Sequence, residues 1–125
     1  LWDRDRPFFG PPTGTEVGSV LVAELDGEPI GFVKIKRVES ELGDRYVAGL
    51  AVATHARRSG AATALVEAAL DRARERGGRR VWLKVLSSNE AALALYHRLG
   101  FEQVGAGALA SRPGVDDLRL SRRVR

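Results

Sequence analysis

Val52-Ala53-Thr54-His55-Ala56-Arg57-Arg58-Ser59-Gly60-Ala61-Ala62 joins two segments of different hydrophobic period. Before it, residues 46–52 are almost continuously apolar, the pattern of a strand buried on both faces. After it, Leu65, Val66, Ala69, Leu70 and Ala73 fall on one helical stripe, while Glu67, Asp71, Arg72, Arg74 and Glu75 lie mostly off it. The stretch is therefore read as a strand-to-helix junction. Such a junction turns unpaired backbone N–H groups and the positive end of a helix dipole towards one point, which is what a diphosphate needs. Gly60 lets the main chain come close, the small Ala61 and Ala62 keep side chains out of the way, and Arg57 and Arg58 add charge. On these residues alone, an ordinary strand-to-helix turn is an equally good reading.

Outward from the junction, the chain alternates between the two periods. On the N-terminal side, residues 19–25 and 30–38 are strand-like around the turn Asp26-Gly27-Glu28-Pro29, and a polar loop, 39–44, leads to the third strand. These three strands are expected to form an antiparallel meander. Residues 1–18 hold Pro7, Gly10, Pro11, Pro12, Gly14 and Gly18 and are read as an extended arm, pinned by Trp2, Phe8 and Phe9. On the C-terminal side, Gly77-Gly78 stops the first helix and residues 80–85 form a short strand. Ser87 or Ser88 can cap a second helix over 89–99, with Ala92, Leu95, Tyr96 and Leu99 on its stripe and Gly100 as its stop. Strands at 101–104 and 115–120 close the chain around a loop. The order of elements predicts an α/β (α+β) fold, with helices crossing a mostly antiparallel sheet.

Composition bounds the function. At 125 residues the chain is long enough for one core, so residues 1–125 are read as a single domain: an arm (1–18) and a core (19–120). The absence of cysteine excludes disulfides, thiolate metal sites and a cysteine nucleophile. His55 and His97 are far apart without carboxylates at ligand spacing, so they are expected on the surface or in loops, and no metal is expected. The net charge of +4 and pI near 10.1 invite a nucleic-acid reading. The basic residues are, however, dispersed among acids, and residues 119–125 read more plainly as a frayed C-terminal strand than as a basic tail. No stretch approaches the ~20 apolar residues of a membrane span. With Asp3, Arg4, Asp5 and Arg6 near the start instead of a leader pattern, a cytoplasmic protein is expected, without membrane or nucleic-acid partners. The chain has no methionine, so Leu1 is not expected to be the natural start.

Two ordered motifs add a resemblance. Arg57-x-x-Gly60-x-Ala62, with Val52 before it, resembles the acetyl-CoA signature of the GNAT superfamily of N-acetyltransferases. Leu83, Val85, Asn89, Ala92, Leu95-Tyr96 and Gly100-Phe101 are similar to the family's later segment, a strand, an Asn-started helix and a Gly-Phe pair. The resemblance spans about residues 20–120 and is strongest over 52–101. It implies a V-shaped sheet in which two neighbouring strands splay apart and acetyl-CoA, as acyl donor, lies in the gap. It further implies that the main chain of Leu50, Ala51 and Val52 pairs with pantetheine, with the Val52 N–H facing the thioester oxygen. The backbone of Arg57, Arg58, Ser59, Gly60, Ala61 and Ala62 would hold the pyrophosphate, and Asn89 and Ala92 would contact the pantetheine arm. Tyr96 would be the acid that protonates the departing thiolate, a role for which its phenol keeps a proton at neutral pH. The acceptor would be a small-molecule amine or a protein amine.

The sequence also departs from the family pattern. Arg58 and Thr54 replace a common Gly and Pro without removing a backbone donor. Ala48, Gly49, Leu50 and Ala51 offer no carboxylate as general base, which leaves Glu24, Glu39, Glu41 or Asp44 as candidates. The strand and helices that usually precede the hairpin are short or missing, so upstream residues or a second subunit, as in a homodimer, would complete the acceptor wall. A non-catalytic acyl-CoA-binding or regulatory module is the alternative that these departures favour.

Overall fold

The structure is a computed structural model that describes residues 18–37, 45–56, 60–108, 111 and 113–124. The expected arm with Trp2, Phe8 and Phe9, the candidate bases Glu39, Glu41 and Asp44, and the junction residues Arg57, Arg58 and Ser59 lie outside the described residues.

Strands β1 (Gly18–Leu25) and β2 (Glu28–Arg37) form the expected hairpin. Its turn is Asp26-Gly27, both at positive φ (52° and 79°), the left-handed pair that matches strand twist in a two-residue loop. Glu28 and Pro29 therefore already belong to β2. Strand β3 (Arg45–Val52) pairs antiparallel with β2 and completes the meander. A short 3-10 turn, Thr54–Ala56, leads towards helix α1 (Ala61–Glu75). Then come β4 (Arg80–Leu86), α2 (Glu90–Arg98), β5 (Glu102–Ala108) and β6 (Asp116–Arg123). Helix α1 ends as a Schellman motif: Gly77 at φ 79° donates to Arg74 O at 3.1 Å, and Gly78 donates to Ala73 O at 2.8 Å.

The six strands lie in the order β1-β2-β3-β4-β6-β5. Only β3 and β4 run parallel, joined through the crossover helix α1, and the other pairs are antiparallel. The core forms where the α1 stripe (Leu65, Val66, Ala69, Leu70, Ala73) meets Val33 and Ile35 of β2, Val47 of β3, and Val81, Leu83 and Val85 of β4. Leu118 and Leu120 of β6, Tyr96 and Phe101 extend it.

Three expectations need correction. Residues 119–123 are not a frayed end: β6 is an interior strand held between β4 and β5, with Leu118, Leu120 and Ser121 buried. Strand β5 runs on to Ala108 through a Gly/Ala stretch of little strand propensity, because β6 supplies a partner along that length. Strand β3 is not buried on both faces: Val47 is buried, Ala48 is exposed and the rest are half-buried. The cause is the path of β4, which pairs with β3 at Arg45–Val81 and Tyr46–Trp82 and then departs. The departure begins beside a bulge. Lys34 faces Gly49 but Ile35 faces Val47, so Ala48 is an extra residue that bends and twists β3 at this point.

On its other edge β3 is held tightly against β2. A Cβ built on Gly31 would lie 2.7 Å from Ala51 O, 3.3 Å from Val52 Cα and 3.2 Å from a Leu65 methyl. Two of these contacts are backbone and cannot rotate away. Gly31→Ala is therefore expected to cost about 1–3 kcal/mol, the range for overpacked cores, read as a lowered urea midpoint.

Candidate active site

Between the end of β3, past its parting from β4, and the two helices lies a cleft of about 600 Å³. One wall is Leu50, Ala51 and Val52 of β3; the floor is Ala56, Gly60, Ala61, Ala62 and Thr63; the facing wall is Ala91, Ala92, Leu95 and Arg98 of α2. The sequence-derived candidates Leu50, Ala51, Val52, Gly60, Ala61, Ala62 and Ala92 are thus brought together.

The main chain on two of these walls has free polar groups. Helix α1 has Gly60 at its N-cap, at φ 84°, with no side-chain cap and no acidic residue in its first turn. The first intrahelical bond runs from Ala64 N–H to Gly60 O at 3.0 Å, which leaves the N–H groups of Ala61, Ala62 and Thr63 without intrahelical partners at the positive end of a 15-residue dipole. On β3, the bond from Ala53 N–H to Ile30 O at 2.7 Å fixes the phase of the antiparallel ladder. Alternation then turns the main-chain groups of Ala51 towards β2 and those of Leu50 and Val52 away from it, to the side that β4 has vacated.

Asn89 and Tyr96 are placed differently. Asn89 is the N-cap of α2: its side-chain oxygen accepts from Ala92 N–H at 3.2 Å, and it does not line the cleft. Neither Ser87 nor Ser88 takes that role; Ser87 Oγ instead accepts from Asp116 N–H at 2.8 Å. Tyr96 is buried beneath the α2 wall, 7% exposed, and is not among the cleft-lining residues. Its ring packs edge-on against Phe101 with centroids 5.6 Å apart, and burial raises its pKa above the ordinary value. Among the described residues its hydroxyl has no hydrogen-bond partner. Burial disfavours the phenolate in the folded state only, so the unfolded chain gives up this proton first and stability falls as pH rises from the unfolded value of 10.0 through the folded one. A fall in stability above pH 10 that Tyr96→Phe removes is the expected result in urea titrations at stepped pH.

Arg98, Thr63, Ala56, Ala91 and Leu95 line the cleft without having been singled out from sequence as site residues. A signal for the α2 members existed: Ala91, Leu95 and Arg98 recur at helical spacing with Ala92. Of the candidate bases, Glu24 is exposed on β1, which β2 separates from the cleft, and among the described residues no carboxylate lines the cleft. His55 and His97 are exposed, and among the described residues no group of three His, Asp or Glu side chains could hold a metal ion. No helix among the described residues is long and apolar enough to cross a membrane.

Known proteins share this chain's sequence pattern and its fold. The sequence pattern of the acetyltransferase (GNAT) family matches residues 3–101. The chain belongs to that family. Relatives of this GNAT chain include an N-alpha-acetyltransferase of Sulfurisphaera tokodaii, 33% identical over 94 residues that cover 67% of the chain and 56% of the relative. Another is a mycothiol acetyltransferase of Salinispora tropica, 37% identical over 108 residues covering 82% of the chain and 33% of the relative. The GNAT chain thus spans from a third to just over half of these relatives' length. Among solved structures, the ribosomal-protein-S18-alanine N-acetyltransferase of Escherichia coli superposes with a TM-score of 0.79 at 25% identity, covering 90% of this chain and 72% of that one. The mixed, mostly antiparallel sheet with flanking helices is the GNAT fold.

Proposed function

We propose that this chain is an acetyl-CoA-dependent N-acetyltransferase that moves the acetyl group to a primary amine by direct attack in a ternary complex. The observation that carries the reading is the first turn of α1, whose N–H groups lack both a capping side chain and a compensating acid and open onto the cleft. A diphosphate there would be held by these amides, with Arg98 on the facing wall as a further cation. Pantetheine would extend along β3 and bond to the outward main chain of Leu50 and Val52 as an added strand. Attack of the amine nitrogen on the thioester carbon puts negative charge on the carbonyl oxygen, which the Val52 N–H stabilises. Collapse breaks the carbon–sulfur bond, the amine's proton leaves to water, and the thiolate takes a proton from Tyr96, whose hydroxyl would have to open from behind the α2 wall onto the sulfur and then regain its proton from water. Asn89 serves by fixing the start of α2, and so the position of Ala92, rather than by touching the donor.

One observation favours a second reading, an acyl-CoA-binding module without catalysis: among the described residues no carboxylate lines the cleft to deprotonate an amine. Calorimetric titration with acetyl-CoA, followed by thiol-release assays over a panel of amines, separates the two. Heat with transfer supports the enzyme, heat without transfer to any amine supports the module, and no heat at all rejects both.

A further inference from the structure

The sheet face turned away from α1 and α2 carries a group of cations that donor binding does not use. Val81, Leu83 and Val85 of β4 point into the core, so Arg80, Trp82 and Lys84 point to the opposite face. Leu118 and Leu120 of β6 point inward likewise, so Arg119, Ser121 and Arg123 share that opposite face. The register then sets Arg80 against Arg123 and Lys84 against Arg119, two like-charged pairs across adjacent strands. Arg80 donates to Ser121 Oγ at 2.9 Å and lies 5.9 Å from the Trp82 ring centre. Arg119 leans the other way, so that its guanidinium carbon would be 3.9 Å from a Cβ placed on Gly105 of β5.

Directly opposed like charges destabilise a sheet, and at the pair Lys84 and Arg119 no ion partner among the described residues offsets this. Lys84, Arg119 and Arg123 are exposed and, among the described residues, in no ion pair within 4.0 Å. The carboxylates that the register puts on the same face of β5 and β6 are Glu102 and Asp117, fewer than the three exposed cations Lys84, Arg119 and Arg123. The face therefore holds a positive potential directed at solvent.

Its position gives the potential a use. Trp82 is the last residue of β4 to pair with β3, so Lys84 stands on the lip of the split and Arg119 stands beside it. A donor filling the helix side of the cleft leaves the opposite mouth as the path for the acceptor. A bare ammonium ion would be repelled there. We propose that the acceptor is a carboxylate-bearing amine, either an acidic amino acid or a peptide whose first residues are acidic, guided and held by Lys84 and Arg119. The inference rests on the transferase reading and names the substrate class of that same site. Carboxylates reverse the sign of the encounter, while the two cations favour the uncharged form of the amine in a cleft where no described carboxylate stands as base.

The test measures kcat/KM for glutamate, for a short peptide beginning with two acidic residues, and for the amide and lysine counterparts of each. One acidic acceptor at least is expected to exceed its amide counterpart by tenfold or more, and the arm that does so identifies amino acid or peptide. This advantage should shrink between low and 0.5 M salt, where screening is strong. Lys84→Glu with Arg119→Glu should lower kcat/KM for the acidic acceptor by 30-fold or more and leave acetyl-CoA affinity within about twofold. Lys84→Gln with Arg119→Gln, a milder pair, should lose about tenfold. Amide or lysine acceptors used as well as acidic ones, or reversal variants with unchanged selectivity, would overturn the substrate class while leaving the transferase reading intact. Absence of transfer to every amine would overturn the transferase reading itself.

Discussion

Replacing Gly60 by valine is expected to weaken acetyl-CoA binding by more than a hundredfold, about 3 kcal/mol on the affinity scale. Two effects add. Gly60 sits at φ 84°, where an L-residue costs roughly 1–2 kcal/mol and a β-branched one more, so the N-cap would shift and carry the amides of Ala61 and Ala62 with it. A Cβ at this position meets no atom of the described residues beyond its chain neighbours within 4 Å, so the added methyls would project into the space in front of the helix. That space is where the proposed diphosphate would lie. Asparagine tolerates the left-handed conformation, so Gly60→Asn separates the effects: it should keep the free protein's stability near that of the parent yet bind acetyl-CoA at least tenfold more weakly. Calorimetry beside thermal denaturation reads both quantities. Parent-like affinity in the valine variant would contradict the placement of the diphosphate.

Tyr96→Phe is expected to lower turnover by about a hundredfold or more, the lower end of the range for a positioned general acid, with acetyl-CoA affinity within about twofold. The stability of the free protein should hold or rise. A phenol that is only a core residue gains nothing from an oxygen that burial desolvates and that no described residue bonds, and such an orphan group costs roughly 1–3 kcal/mol. Phenylalanine would keep the edge contact with Phe101 and drop that cost. Loss of turnover beside retained stability would therefore mark the hydroxyl as a group kept for its chemistry. Undiminished turnover in single-turnover assays would return Tyr96 to the core and leave the thiolate to take its proton from water.

Much of this molecule was readable before its coordinates, and the readable parts share a cause. The Asp26-Gly27 turn, the Gly77-Gly78 stop and the α1 stripe are set by local dihedral preferences and by a period that a few neighbouring residues display. The junction from Val52 to Ala62 belongs with them: a strand end, small residues and a glycine specify a helix start wherever the chain later packs. Asn89 was expected to contact the pantetheine arm, with Ser87 or Ser88 as the cap, and only the hydrogen bond to Ala92 N–H shows its oxygen engaged in the cap.

The sequence by itself determined the order of elements, the uncapped start of α1 and the apolar run of β3, since each depends on residues a few positions apart. Tertiary structure alone decided that Ala48 bulges, that β4 leaves β3 after Trp82 so the apolar run faces a cleft instead of a core, and that β6 inserts between β4 and β5. It also decided that Arg98 reaches the cleft wall and that Lys84 and Arg119 stand side by side where β4 has parted from β3. These are pairings between residues remote in the chain, fixed by register and by competition for strand partners, and no local pattern of residues encodes which partner wins.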